Sequence, residues 1–553
     1  MRVRDTYHAV CRRLKESWRN YNLFRHRFSR QLSGLSTVFS VLSVAASLLL
    51  LACMILLMGY NHDAAHRLLI ERGITASQAV FLISIIYTVV FNLHKLPERS
   101  KSLVRWLVYG GVIITGWSLI YPRPVHPWFP FLADIVYSDF FIYPVLIAYA
   151  IVDLCNGVMQ VIGQRTNPSL LLSSSFVVFI CIGTLLLMLP KSTYAGISFS
   201  DALFLSTSAV CITGLTPVDI YVNLTPLGTG ILAVLIQVGA LGVMTFTSFF
   251  ALFFSGRSSI FSQMMLRDMI YSKTMSGLVP TLLYILGFTL SIEAIGAVMI
   301  FVCVHGQIGL SLHDELVFSA FHSLSSFCNA GFSVMPDGLS NPLLLYSDGL
   351  IYWATSALVV LGAIGFPILV NFKDVLFMRI RKIWRNIRPP RKIIDEPAII
   401  HPFDMNTKIV LVTFGILLLG GAVLFFLLER DNTLAGHDLW WQATQSVFNS
   451  VTPRSAGFAS VSPAVFRPTT LVMVMFLMWV GGASQSTAGG IKVNTLAAIC
   501  LNLRCIVTGR ERVTAFKRTI AVWSVRRANA VVALSIFSYF VYSMVIMYLE
   551  PEL

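Results

Sequence analysis

Long apolar stretches set the first constraint on this chain. A helix needs roughly 20 consecutive apolar residues to cross the hydrocarbon core of a bilayer. Eleven stretches reach that length. Four come early, at about 35–60, 75–94, 103–121 and 130–153. Seven follow, at about 169–190, 225–254, 275–305, 346–371, 407–428, 466–500 and 522–549. Only 12% of the residues are charged, about half the share in an ordinary soluble globule. A soluble multidomain protein, a disordered chain, a coiled coil and a small disulfide scaffold are all excluded. The nine cysteines show no paired spacing, so neither a disulfide nor a metal centre is expected. The expected fold is an all-α polytopic membrane protein.

The charges orient it. With the N-terminus inside and the spans alternating, 33 of the 41 Lys and Arg fall on inner connections. That asymmetry follows the positive-inside rule. It assigns the net charge of +15 to topology and anionic lipid, not to nucleic acid. The first stretch follows about 34 polar, basic residues and is too long for the core of a cleaved leader.

The later spans contain a repeat. Three outer connections carry a short amphipathic piece followed by a Gly turn, in LeuPheLeuSerThrSerAlaValCysIleThrGly (203–214), AlaPheHisSerLeuSerSerPheCysAsnAlaGly (320–331) and ThrGlnSerValPheAsnSerValThrProArgSerAlaGly (444–457). Aligned on Gly214, Gly331 and Gly457, the eighth residue before each is Ser206, Ser323 and Asn449. The pattern reads as span, re-entrant helix, turn, span. Non-helical backbone at membrane depth must line a watery path or be buried in protein. A ring of its carbonyls can replace the water shell of a monovalent cation. The expected ion-binding positions are Ile212, Thr213 and Gly214; Cys328, Asn329, Ala330 and Gly331; and Ser455, Ala456 and Gly457. Asp219 and Asp337 follow two of the turns and are expected to gather cations at an outer mouth.

The tenth stretch is interrupted by Gly481-Gly482-Ala483-Ser484-Gln485-Ser486-Thr487-Ala488-Gly489-Gly490. It lacks the GxxxxGK[ST] spacing of a phosphate-binding loop. The expectation is a broken helix whose exposed backbone faces the permeation path and gates it, with Lys492 adding positive charge just below. Glu293 is the one carboxylate expected deep in a span. No catalytic constellation can be assembled, so no enzyme activity is expected.

IleThrGlyLeuThrProValAsp (212–219), PheCysAsnAlaGlyPheSer (327–333), ThrProArgSerAlaGlyPhe (452–458) and the loop from Gly481 to Lys492 resemble the Trk/Ktr/HKT superfamily of potassium uptake proteins, in particular its bacterial TrkH/KtrB membrane subunit. The resemblance covers about residues 169–553. It implies helix–pore helix–helix repeats around a central pore with one filter Gly from each. It also implies a gate at 481–490 and potassium as the transported ion, with no cofactor in this chain. The implied setting is a homodimer in the bacterial inner membrane, N-terminus cytoplasmic, on a cytosolic nucleotide-binding ring of TrkA/KtrA type. Coupled symport with protons or sodium is the alternative to a selective channel.

The expected organisation is a basic cytoplasmic N-terminus (1–34), a four-helix membrane region (35–165), pore repeats at 166–256 and 257–372, a basic cytoplasmic loop (373–405), a third repeat with a broken second helix (406–505) and the first helix of a fourth (506–553). Three turns alone are expected not to conduct. Gln485 stands where the family usually has Gly, and the four N-terminal spans lie outside the family's common core.

Overall fold

A computed structural model describes residues 29–61, 63–91, 103–121, 134–162, 168–242, 278–345, 349–387, 403–516 and 518–550. Nearly all of the basic N-terminus, the inner connection 255–274 and positions 388–402 of the basic loop lie outside the described residues. The chain forms two units, one of residues 1–170 and 247–268, the other of 171–246 and 269–553.

The first unit holds α1 (Ser29–Gly59), α2 (Ala64–Phe91), α3 (Leu103–Ile120) and α4 (Asp139–Ile162). Each helix packs on two others: α1 on α2 and α4, and α3 likewise on α2 and α4. Leu50, Phe81, Ile85, Val112 and Leu146 fill the centre. Polar contacts cross it, among them Gln78 Nε2 to the Thr115 carbonyl at 2.8 Å and Ser47 Oγ to Asp153 Oδ2 at 3.3 Å. The sequence placed α2 eleven residues late, at 75. Its first turns are polar, with Arg67 Nε bonded to Glu71 Oε1 at 2.9 Å, and an apolar ruler does not see them. It also ended α4 at 153, whereas the helix runs to Ile162. Asp153 therefore lies within a helix, and Glu293 is not the only carboxylate so placed.

The second unit repeats one contact three times. Its helices are α5 (Pro168–Leu187), α6 (Phe199–Val210) and α7 (Pro226–Leu241); α8 (Leu278–Val304), α9 (Leu312–Phe327), α10 (Leu350–Ile364) and α11 (Phe366–Ile387); then α12 (Met405–Glu429), α13 (Leu439–Val451), α14 (Pro468–Trp479), α15 (Val493–Val507) and α16 (Val522–Leu549). The short helices α6 and α9 start alike. Ser198 and Ser311 accept from the amides of Asp201 and Asp314 at 3.1 and 3.2 Å, a side-chain cap for otherwise unpaired donors.

Behind each short helix a serine hydroxyl donates across to the preceding long helix. Ser206 reaches the Ile180 carbonyl at 2.8 Å, Ser323 that of Glu293 at 2.7 Å and Ser450 that of Leu418 at 2.8 Å. A glycine one turn along admits the serine. A methyl group at Gly183, Gly296 or Gly421 would lie 2.3, 2.4 or 2.4 Å from that same Oγ. Leu235, Leu358 and Leu477 from the following helices cover the same three glycines. Small residues at such crossings let membrane helices approach closely. The third repeat uses Ser450, not Asn449, because its chain is one residue shorter between hydroxyl and turn Gly. Asn449 instead donates to the Gln445 carbonyl at 2.9 Å. Gly296→Ala should destabilise the protein by about 1–3 kcal/mol through overpacking, read as a lower midpoint of thermal unfolding in detergent. Adding Ser323→Ala should recover part of the loss, since Leu358 still presses on the site at 2.7 Å.

Among the described residues, five helices are long and apolar enough to cross a membrane, or six if the bent pair α10–α11 counts as one span. Two of the remaining stretches do not run as single helices. The eighth bends by 98° between α10 and α11, at Gly365 with φ +96°. Residues 373–387, expected in a loop, continue α11. The tenth breaks into α14 and α15 with extended chain between. A two-stranded hairpin, β1 (Thr514–Ala515) with β2 (Arg518–Thr519), interrupts the otherwise helical fold. Outward residues such as Val298, Val302, Leu419 and Val423 are exposed and apolar, as helices facing lipid require.

Candidate ion pathway

The three Gly turns share one unusual backbone. In each, the glycine and the residue two before it both have positive φ: Ile212 (56°) with Gly214 (80°), Asn329 (58°) with Gly331 (75°), and Ser455 (90°) with Gly457 (81°). A non-glycine residue in the left-handed region costs roughly 1–2 kcal/mol, so the surroundings must hold these turns. Groups at the ends of the short helices do so. The amides of Thr213 and Ala330 donate to the Ser208 and Ser325 carbonyls at 2.8 Å each. The hydroxyls of those same serines accept from Leu215 N at 3.0 Å and Phe332 N at 2.9 Å. In the third turn Thr452 takes this part, its carbonyl accepting from Gly457 N at 3.0 Å and its hydroxyl donating to the Phe458 carbonyl at 2.5 Å.

The turns meet one another. A methyl group on Gly214 would lie 2.6 Å from the Ala330 oxygen, and one on Gly331 would lie 2.3 Å from the Ala456 oxygen. The first two glycines are thus each pressed against a carbonyl of the next turn. Gly457 has no described atom within 4 Å of the same position. A cavity of about 190 Å³ opens on that side, between Thr213 of the first turn and Ser455 and Gly457 of the third.

The interrupted stretch folds as a loop attached to the second and third turns. Its neck is a parallel bridge between Val480 and Ile491, with Gly481 N donating to the Ile491 carbonyl at 3.1 Å. A side chain at Gly481 would strike the Gly489 oxygen at 1.8 Å, and Gly482 N donates to that oxygen at 3.3 Å. The bend from α10 to α11 binds the loop: Ala483 N reaches the Ala363 carbonyl at 2.8 Å, and Phe366 N donates to the Gln485 carbonyl at 3.1 Å. Ser486 Oγ closes an inner turn on the Ala483 carbonyl at 2.7 Å, and Ser484 N reaches Asn494 Oδ1 at 3.4 Å. Asn494 in turn bonds Asn406 of α12. Gln485 has φ +59° and Gly490 +69°. Lys492 is half-buried and donates from Nζ to the Ala488 carbonyl at 2.6 Å, so its ammonium is tied to the loop.

Other expected site residues are turned elsewhere. Cys328 is buried and points its Sγ at Gln237 Oε1 and Glu293 Oε1, 3.6 Å from each. Glu293 thus stands directly behind the second turn. Asn329 is buried with its amide toward Thr487, 2.9 Å from Oγ1. Asp219 is exposed and caps the short helix Ile220–Asn223 through Tyr221 N at 2.9 Å. Asp337 is exposed in a left-handed turn, φ +57°.

Counting charges by side, as the positive-inside rule does, puts Arg454 among the outer ones. It is 1% exposed, one residue ahead of the third turn, with its guanidinium 3.9 Å over the Phe414 ring. None of its three side-chain nitrogens has a hydrogen-bond partner among the described residues. The signal was available, since it is the one charge within an otherwise neutral turn motif.

Apposed carbonyls with glycine beside them, no side chain of the three glycines to block the way, and a tethered loop make an arrangement suited to passing a dehydrated cation. A family model described as TrkH, cation transport protein, matches residues 161–551. The potassium/sodium uptake protein NtpJ of Enterococcus hirae is 33% identical over 369 residues, which span 66% of this chain and 76% of that protein. The Ktr system potassium uptake protein B of Bacillus subtilis is 32% identical over 383 residues, spanning 68% and 79%. The crystal structure of the potassium transporter TrkH from Vibrio parahaemolyticus has a similar fold, with TM-score 0.51 at 17% identity over 81% of this chain and 84% of that one.

Proposed function

The chain belongs to the TrkH family of cation transport proteins, and from that premise we propose that it is the pore-forming membrane subunit of a potassium uptake system. The observation that carries this reading is the meeting of the three turns, with the Ala330 and Ala456 oxygens each against the glycine of the preceding turn. These oxygens, with those of Ile212, Thr213, Cys328, Asn329 and Ser455, supply ligands of the hard, neutral kind an alkali cation takes. Gly214, Gly331 and Gly457 are the filter glycines. The third turn faces the first across a cavity, and this is the side a fourth turn takes in the family's four-repeat pattern. Cells lacking other uptake systems test the reading. Expression of the chain carried on through a fourth pore helix, Gly turn and closing helix should restore growth at low potassium and raise rubidium uptake, and no gain on either measure in a membrane-inserted protein would contradict the reading.

The loop Gly481–Gly490 is the gate, held beneath the filter by the bonds described above. Asp219 and Asp337, both exposed, raise cation concentration at the outer mouth. The protein works as a homodimer in the bacterial inner membrane, N-terminus inside, among anionic lipids. A cytosolic nucleotide-binding ring docks on its basic inner surface. Arg510, Arg512, Arg526 and Arg527, all exposed, support that reading, because basic loops complement an acidic soluble face. Arg512→Glu with Arg527→Glu should weaken ring binding and leave the ratio of potassium to sodium flux unchanged, which a pull-down at two salt concentrations and a flux assay check together.

A further inference from the structure

Thr487 belongs by position to the gate loop, yet its hydroxyl reaches into the second filter turn. Oγ1 donates to the Phe327 carbonyl at 3.0 Å and accepts from Asn329 Nδ2 at 2.9 Å. All of this is buried: Thr487 is 5% exposed, Phe327 and Asn329 0%. Asn329 is the left-handed residue of its turn, φ +58°, so the hydroxyl fixes the side chain of the residue whose backbone is least able to hold itself. Gly362 of α10 makes the meeting possible. A methyl group there would lie 1.9 Å from the Phe327 oxygen, 2.6 Å from Asn329 Nδ2 and 2.8 Å from Thr487 Oγ1. The loop is also bound to the matching residue of the third turn, where Gly489 N donates to Ser455 Oγ at 2.7 Å and Ser455 has φ +90°.

Two left-handed non-glycine residues of the filter are therefore held, through their side chains, by the element that closes the path. We propose that Thr487 is a specificity-determining residue: it positions the second filter turn, so that releasing the gate loop also loosens discrimination between potassium and sodium. Carbonyl cages select by the placement and stiffness of their oxygens, and a turn freed from Thr487 is softer. Ser455 acts in the same sense at the third turn through Gly489. This inference rests on the reading of the turns as filter and the loop as gate, and it adds that the two are one mechanical unit.

The test compares Thr487→Val, which removes the hydroxyl and keeps the shape, with Thr487→Ser, which keeps the hydroxyl. Purified protein is measured for rubidium and sodium flux in vesicles, and for thermal protection by KCl and NaCl in detergent. Loss of one net hydrogen bond corresponds to a change of about five-fold. Thr487→Val should lower the potassium-to-sodium preference by about that factor in both assays, with Thr487→Ser close to the parent. Ser455→Ala should shift it the same way. If Thr487→Val folds poorly, Asn329→Ala and the double variant serve instead; the double should be no less selective than Asn329→Ala alone. A folded Thr487→Val with unchanged preference and only higher flux would make the loop a plain plug and overturn the proposal. Gly331→Ser separates the two levels: if it shifts the preference while Thr487→Val does not, only the coupling fails, and if neither does, the filter assignment itself fails.

Discussion

Gly331→Ser should nearly abolish the preference for potassium over sodium, and Gly214→Ser should reduce it strongly. At Gly331 the new Cβ would sit 2.3 Å from the Ala456 oxygen, and at Gly214 it would sit 2.6 Å from the Ala330 oxygen. Both obstacles are backbone atoms fixed by pore-helix bonds, so the turns themselves must move apart. The left-handed φ of each glycine adds a cost of roughly 1–2 kcal/mol for any L side chain. A loss of about 2–3 kcal/mol in relative ion stabilisation is a loss of selectivity of roughly 30- to 150-fold. Gly457→Ser should be milder, since its Cβ meets no described atom within 4 Å and only the φ penalty applies. Relative rubidium and sodium uptake across the three variants checks the order.

Removing Ala483 to Ala488 should raise total cation flux by about ten-fold or more, since a barrier of about 1.4 kcal/mol is worth a factor of ten. The neck survives this deletion in outline, because Val480 and Ile491 pair outside the removed residues. What disappears is Thr487, with its hold on Phe327 and Asn329, and the carbonyl that anchors Lys492. Discrimination should therefore fall as flux rises. Initial rates of rubidium and sodium entry into vesicles read both at once. Flux that stays constant or drops in a well-inserted deletion would make the stretch a structural kink.

Much of this was legible in the sequence because glycine and charge report backbone and topology directly. Gly214, Gly331 and Gly457 stand out since a left-handed turn after an amphipathic piece admits few other residues. The Gly-rich run at 481–490 likewise had to be a break in a helix. The aligned serines were half-legible. Ser206 and Ser323 have equal offsets from their glycines, whereas Ser450 is shifted by one, and only the partner glycines at 183, 296 and 421 reveal the true register. Those glycines sit inside long apolar runs, where a linear reading sees tolerated small residues. Span edges failed where polar turns begin a helix, as at Arg67 and Glu71, or where a chain bends, as at Gly365. The contacts of Thr487 with Asn329 join residues 158 apart, and no local pattern carries such a pairing. Arg454 was misread for a related reason: charge counting assigns an arginine to the aqueous side, while this one is buried against Phe414.

The central claim is that the three Gly turns bind the permeating cation with their backbone oxygens. Anomalous diffraction from crystals grown with thallium, which substitutes for potassium, addresses it most directly. The account predicts anomalous density flanked by Gly214, Gly331 and Gly457, beside the Ala330 and Ala456 oxygens, that persists when sodium is added in excess over thallium, falls when potassium is added instead, and is weakened in Gly331→Ser. Thallium bound only at exposed carboxylates such as Asp219 and Asp337, with none between the turns, would contradict it.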